Sequence, residues 1–168
     1  MTKNLSEIIL AIDPGLATVG FAAVEKRDRN LKILDFGVFQ TSKTKNLAER
    51  LDEIARDFSE ICEKFKPQIL AIEKLIFVKN VTNGLAVAHA RGVILQIAAR
   101  ESLRILEVLP KAVKMAVCGY GNAGKPQIQK MVQKIFKMEN LPTPDDAADA
   151  LAIAFFASKK FAIDDEIG

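Results

Sequence analysis

The chain has 168 residues, 49% of them hydrophobic and 27% charged, with a net charge of +3. That length fits one domain over residues 1–168 with a real core, and the balance excludes a disordered or fibrous chain. Beyond residue 80 the uncharged run Gly92 to Ala99 is far too short to span a bilayer. The N-terminus has no apolar stretch ending in a small-residue cleavage site. The two cysteines, Cys62 and Cys118, have neither CxxC spacing nor a nearby histidine. A reduced, cytoplasmic setting without structural zinc is therefore expected.

Glu7 to Ile12 is a short apolar strand that ends at Asp13 and the turn Pro14-Gly15. Val19 to Lys26 and Leu31 to Gln40 are two more strands, joined by the charged turn Arg27 to Asn30. Over residues 46–65 the apolar side chains Leu47, Leu51, Ile54, Phe58, Ile61, Cys62 and Phe65 recur at helical spacing. Pro67 ends that helix, and Gln68 to Ile72 is a fourth, buried strand closing on Glu73. Thr82 is the expected N-cap of a long helix to about Leu103, apolar almost all round and so suited to a core or a second subunit. Ile105 to Val108 is a fifth strand. Pro126 starts a helix with Ile128, Met131, Val132, Ile135 and Phe136 inward, and a last helix runs from near Asp145 to about Phe161. The tail 162–168 is expected to fray. A meander of strands followed by alternating strands and helices predicts an α/β fold, a mixed sheet flanked by helices.

The charge is unevenly spread. Residues 103–140 carry seven Lys/Arg against Glu107 and Glu139, whereas residues 141–168 carry six acids against Lys159 and Lys160. A basic stretch followed by an acidic cluster suits an anionic polymer approaching metal ions, although a solvated surface explains it equally well. The acids themselves are more informative. Asp13 and Glu73 each end an apolar strand, and Asp146 and Asp149 lie three apart in the first turn of an alanine-rich helix, so they share a face. A carboxylate closing a buried strand is costly unless compensated. Several gathered at one point call for a hard dication with oxygen ligands, and a pair of such ions hydrolyses phosphodiesters. Asp145 is better read as a helix N-cap.

Four segments, AIDPGLATVGFA, AIEKLIFVKN, the AHARG of the long helix and DDAADALAIA, resemble in order and spacing the motifs of RuvC-type Holliday junction resolvases. The match runs from about Ile8 to Ala157. It implies a ribonuclease H-like mixed five-stranded sheet flanked by helices, and a homodimeric, Mg²⁺-dependent endonuclease that nicks two opposed strands of a four-way DNA junction. By motif position the resemblance implies Asp13, Glu73, Asp146 and Asp149 as metal-binding acids for two Mg²⁺ ions, with Mn²⁺ as a substitute. It implies Lys114 and Lys125 as DNA-contacting lysines, and a RuvA/RuvB-type branch-migration complex as a partner. Lys79, Arg91, Lys130 and Lys134 are weaker candidates for phosphate contacts.

The family often places a base-stacking aromatic three residues after the glutamate. Here that position is Ile76 and the aromatic is Phe77, so either Phe77 stacks after a local shift or it is a core residue. A ribonuclease H-like enzyme acting on RNA and a non-catalytic nucleic-acid-binding module are the rival functions. Gly119 to Lys125 has the G-x-x-x-x-G-K shape of a phosphate loop, but Pro126 stands where Ser or Thr would ligate magnesium, so a nucleotide site is excluded. His89 is expected to be a packed helix residue.

Overall fold

The structure is a computed structural model; it describes residues 6–76 and 81–167, with side chains described as far as Phe161. Three strands form the opening meander: β1 (Glu7–Asp13), β2 (Thr18–Arg27) and β3 (Asn30–Gln40). Then follow α1 (Leu47–Phe65), β4 (Ile69–Glu73), α2 (Val81–Arg100) and β5 (Arg104–Val108). Three helices complete the chain: α3 (Pro110–Cys118), α4 (Lys125–Ile135) and α5 (Asp145–Ile167). The sheet order is β3-β2-β1-β4-β5, antiparallel between β1, β2 and β3 and parallel between β1, β4 and β5. The mixed five-stranded sheet flanked by helices is present as the sequence pattern predicts.

Strand alternation divides the core in two. Ile9, Ala11, Ala22, Val24, Ile69 and Ala71 face α3, α4 and α5, whereas Leu10, Ile12, Ala23, Leu70 and Ile72 face α1 and α2. On this parity Asp13 and Glu73, each one step past a residue of the α1–α2 face, look toward α5. The alanines of both partners let α5 lie close on the sheet: Ala150 and Ala154 are fully buried in one cluster with Ala11, Ala22 and Ala71. Leu151 and Ile153 are fully buried on the same helix, and each contributes about 1.5–3 kcal/mol. On the opposite face α1 opens with a reciprocal cap. Asn46 Oδ1 accepts from the Glu49 amide at 3.0 Å, and Glu49 Oε2 accepts from the Asn46 amide at 2.9 Å.

Several expectations are corrected. Residues 110–118, given no element from the sequence, form α3, with Pro110 in its first turn and Gly119 at φ 84 closing it. Thr82 is not a cap, because α2 already includes Val81. His89 is exposed rather than packed. The helix α5 continues to Ile167, past the expected end near Phe161, and the fraying expected over 162–168 concerns side chains outside the described set. Among the described residues no helix is long and apolar enough to cross a membrane.

Candidate active site

Asp13 is the last residue of β1, and its register partner on β2 is Gly20. The loop that follows Asp13 is pinned from behind by Thr41, whose hydroxyl donates to Leu16 O at 2.6 Å while accepting from Arg50 Nε at 2.8 Å. The Thr41 amide donates to Ala17 O at 3.1 Å. One strand over, Glu73 ends β4, and the next amide, that of Lys74, donates to Val108 O of β5 at 2.8 Å. Parallel pairing of β1 with β4 thus brings both acids to the same end of adjacent strands. This is where an α/β sheet presents ligands, outside the carboxyl ends of its parallel strands.

The third element is the first turn of α5. Ala147 and Ala148 donate to Pro144 O, which starts the helix over β1 and β2. Gly20 makes that approach possible: a Cβ there would lie 2.1 Å from Asp146 O and 2.6 Å from its carbonyl carbon. The helix backbone therefore rests where a side chain of β2 would otherwise stand. Asp146 comes down close enough to Asp13 to act on its carboxyl. Asp149, one turn on, lines a cavity of about 310 Å³ together with Asp13, Glu73, Lys114 and Lys125.

The electrostatics of this group follow from burial and mutual repulsion. Burial, followed by the negative charges of Glu73, Asp149 and Asp146, pushes the Asp13 carboxyl up to about 8. Burial pushes Asp149 up to about 6 against the pull of Lys125. Glu73 is raised by burial and by Asp149, with Lys114 opposing. Four carboxyl groups from three elements therefore repel one another, and a cation would relieve that repulsion. Among the described residues no three His, Cys, Asp or Glu side chains are already closed into a metal-ligand cluster; coupling around an open cavity is a looser condition than ligation. As a donor set, four carboxylates without sulfur or imidazole fit Mg²⁺ or Mn²⁺.

A raised carboxyl pKa has a definite sign for stability. The folded chain holds these protons more tightly than the unfolded chain, so their contribution is complete below about 4. It is lost as pH rises through about 6 for Asp149 and about 8 for Asp13. Metal-free protein should thus lose stability between about pH 4 and about pH 8, by about 1.4 kcal/mol per pH unit for each proton retained. Millimolar Mg²⁺ should flatten the slope, because the ion replaces the proton. Denaturant midpoints measured across this window with and without the ion test it; a metal-free midpoint that rises with pH would refute the coupling.

Both lysines assigned to DNA stand at the cavity. Lys114 is supplied by α3, the helix that the sequence did not reveal, although Pro110, Val113, Val117 and Gly119 are the Pro-start, i to i+4, Gly-stop pattern that marks one. Lys125 begins α4 and pairs with Asp145. That contact lowers Asp145 and raises Lys125. Lys125 is exposed and Asp145 partly so, which makes the pair a weak one. Asp145 is the first residue of α5 rather than the N-cap expected, and it takes no place in the cavity lining.

Arg91, one of the weaker candidates for a phosphate contact, makes internal contacts. Its guanidinium donates from Nε to Glu73 O at 3.0 Å and pairs with Glu107, and its side chain is 14% exposed. Lys130 and Lys134 are exposed on α4, and Ile76 is 48% exposed. Phe77 and Lys79 lie outside the described residues.

Comparison with known proteins agrees with this geometry. The family model described as "Crossover junction endodeoxyribonuclease RuvC" matches residues 9–156. The chain is 45% identical over 148 residues to the crossover junction endodeoxyribonuclease RuvC of Petrotoga mobilis, covering 88% of this chain and 91% of that protein. It is 44% identical over 147 residues to the RuvC of Halothermothrix orenii, covering 88% and 89%. Among solved structures it is similar to T. thermophilus RuvC in complex with Holliday junction substrate, with TM-score 0.87, 28% identity and coverage of 94% and 96%. That likeness bears out the ribonuclease H-like fold. From sheet, site and relatives together, the chain belongs to the RuvC family of crossover junction endodeoxyribonucleases.

Proposed function

We propose that this protein is a structure-specific endodeoxyribonuclease that resolves four-way DNA junctions by paired, symmetric, metal-dependent phosphodiester hydrolysis in recombination and repair. The observation that carries this reading is the convergence of Asp13, Glu73 and Asp149 on one cavity that also holds Lys114 and Lys125. Acids and lysines in one cavity suit a phosphodiester flanked by cations.

Asp13, Glu73, Asp146 and Asp149 would hold the metal, two Mg²⁺ ions per site in this reading, with Mn²⁺ as a substitute. Bound there, the ions supply activation of a water and offset charge at the reacting phosphate. The chain's own residues do the rest. Strand ends and a helix turn fix the carboxylates before substrate arrives, so little reorganisation is left for the chemical step. Lys114 holds positive charge between Glu73 and Asp149, acting on both. Lys125, free to leave Asp145, binds the phosphate and offsets charge on the leaving oxygen. Phe77 and Lys79 belong to the same proposal as junction contacts.

A homodimer is part of this reading, with α2 as its seam: Val81 and Leu85 on that helix are 68% and 58% exposed. Two-fold symmetry places two sites against two symmetric strands, which makes paired nicks natural. A RuvA/RuvB-type branch-migration complex would be the cytoplasmic partner.

The test is incubation in Mg²⁺ with a mobile four-way junction, linear duplex DNA and structured RNA, followed by mapping of the products. Symmetric incisions confined to the junction are expected; preferential cutting of RNA would replace the reading with an RNA nuclease. Junction affinity should also fall with salt, with a logarithmic slope of about −0.9 for each phosphate neutralised. Lys114→Ala should reduce that slope by about one contact. A flat salt response would argue against DNA as the partner.

A further inference from the structure

Glu73 is the last residue of its strand, and Lys74, Leu75 and Ile76 beyond it are exposed. A strand end frays unless something holds it, and a carboxylate on a fraying end does not aim. Here the peptide that joins Glu73 to Lys74 is held at both of its polar atoms. Its N–H donates to Val108 O at 2.8 Å, and its carbonyl accepts from Arg91 Nε at 3.0 Å. The second partner comes from the rear of the sheet. The buried face of α2, with Ala90 and Ile94 next to Arg91, packs with Leu70 and Ile72, whereas Glu73 by strand parity points the other way, into the cavity.

The guanidinium is itself fixed. Its outer nitrogen pairs with the carboxylate of Glu107, which stands on β5 in register with Ile72. One arginine thus ties three elements, α2, β4 and β5, at the residue whose carboxylate enters the site. Two donors in a rigid plane suit this task, because they fix direction as well as distance.

Resting on the reading that Glu73 is a metal-holding carboxylate, we propose that Arg91 is its positioning residue, fixing the direction of that carboxylate from the opposite face of the sheet. Arg91 touches neither substrate nor reacting atoms in this role. It acts on the chemical step through the backbone of Glu73. Arginine-to-alanine replacement therefore leaves every charge in the cavity intact while freeing the strand end that carries one of them.

The experiment compares Arg91→Ala, Arg91→Lys and Glu107→Gln, with Glu73→Gln as control. Three readouts are used: single-turnover cleavage at saturating junction across a Mg²⁺ titration, junction affinity without metal, and amide exchange of Lys74 in metal-free protein. For Arg91→Ala the expected results are a rate lower by about thirtyfold and a half-saturating Mg²⁺ concentration higher by about tenfold. Metal-free junction affinity should stay within about twofold, and the Lys74 amide should exchange at least about tenfold faster. Arg91→Lys keeps one donor and should fall between. Glu107→Gln, at an exposed position, should shift the same quantities the same way by a smaller factor, and it carries the test if Arg91→Ala does not fold.

Two results would overturn the inference. A loss confined to metal-free junction affinity, with the saturated rate intact, would make Arg91 a DNA contact. A lower melting temperature with unchanged Mg²⁺ dependence and unchanged Lys74 exchange would make it a general brace. If Glu73→Gln itself still cleaves, the site reading fails, whatever Arg91 does.

Discussion

Asp13→Asn should abolish junction cleavage, by roughly a thousandfold or more, while junction affinity without metal changes by less than about threefold. The substitution keeps the shape of the side chain and removes its charge at the residue where the other three acids converge. Its second effect has the opposite sign. At neutral pH the Asp13 carboxyl is held up to about 8, chiefly by burial and then by Glu73, Asp149 and Asp146. Asparagine has no charge to repel, so the metal-free variant should be more stable than the parent above about pH 4, increasingly so up to about 8, and equal to it in acid. Cleavage time courses and denaturant midpoints on one pair of proteins check both effects. A variant that is inactive but less stable at neutral pH would mean that Asp13 is a structural anchor rather than a strained ligand.

Gly20→Ala should harm fold and chemistry together, though it changes no functional group. The added Cβ would stand 2.1 Å from Asp146 O, and neither partner can step aside, because one is strand and the other is helix backbone. Overpacking of this kind costs about 1–3 kcal/mol. Relief requires α5 to lift from β2 at the turn that carries Asp146, which sits over the Asp13–Gly20 register pair. A displacement of about 1 Å at a reacting site costs about a hundredfold in rate. Gly37→Ala is the contrast: its Cβ would meet only the edge of the Phe21 ring at 3.4 Å, which can yield, so cleavage should fall by less than about threefold. Urea midpoints and single-turnover rates decide. Equal effects of the two substitutions would mean that α5 is not seated on Gly20 as described.

What the sequence disclosed follows the range of the forces involved. The two strand-end acids were legible because apolar runs that stop at a carboxylate mark a buried strand with an unexplained charge. The Asp146 and Asp149 pair was legible because three residues of helix bring side chains to one face, and the helical repeat requires nothing beyond the segment itself. Long-range contacts were not legible. Arg91 falls in a helix that any periodicity reading finds, yet only the topology decides that α2 lies on the face away from the cavity, and so brings its guanidinium to the backbone oxygen of Glu73. Gly20 carries no local signal at all; its significance is the absence of a Cβ against another element. The missed helix α3 is of a different kind. It is short, and only Val113 and Val117 are buried on it, so its apolar pattern is thin even though its Pro110 and Gly119 ends were there to be read. The consequence was functional, because α3 is what carries Lys114 to the site.

The central claim is that acids from β1, β4 and α5 jointly hold divalent cations. Anomalous diffraction from crystals soaked in Mn²⁺ tests it most directly. The account predicts a strong peak within ligation distance of Asp13 and of at least one of Glu73 and Asp149, absent from crystals of Asp13→Asn. A well-ordered cavity with no peak at Asp13, in crystals that bind Mn²⁺ elsewhere, would contradict it.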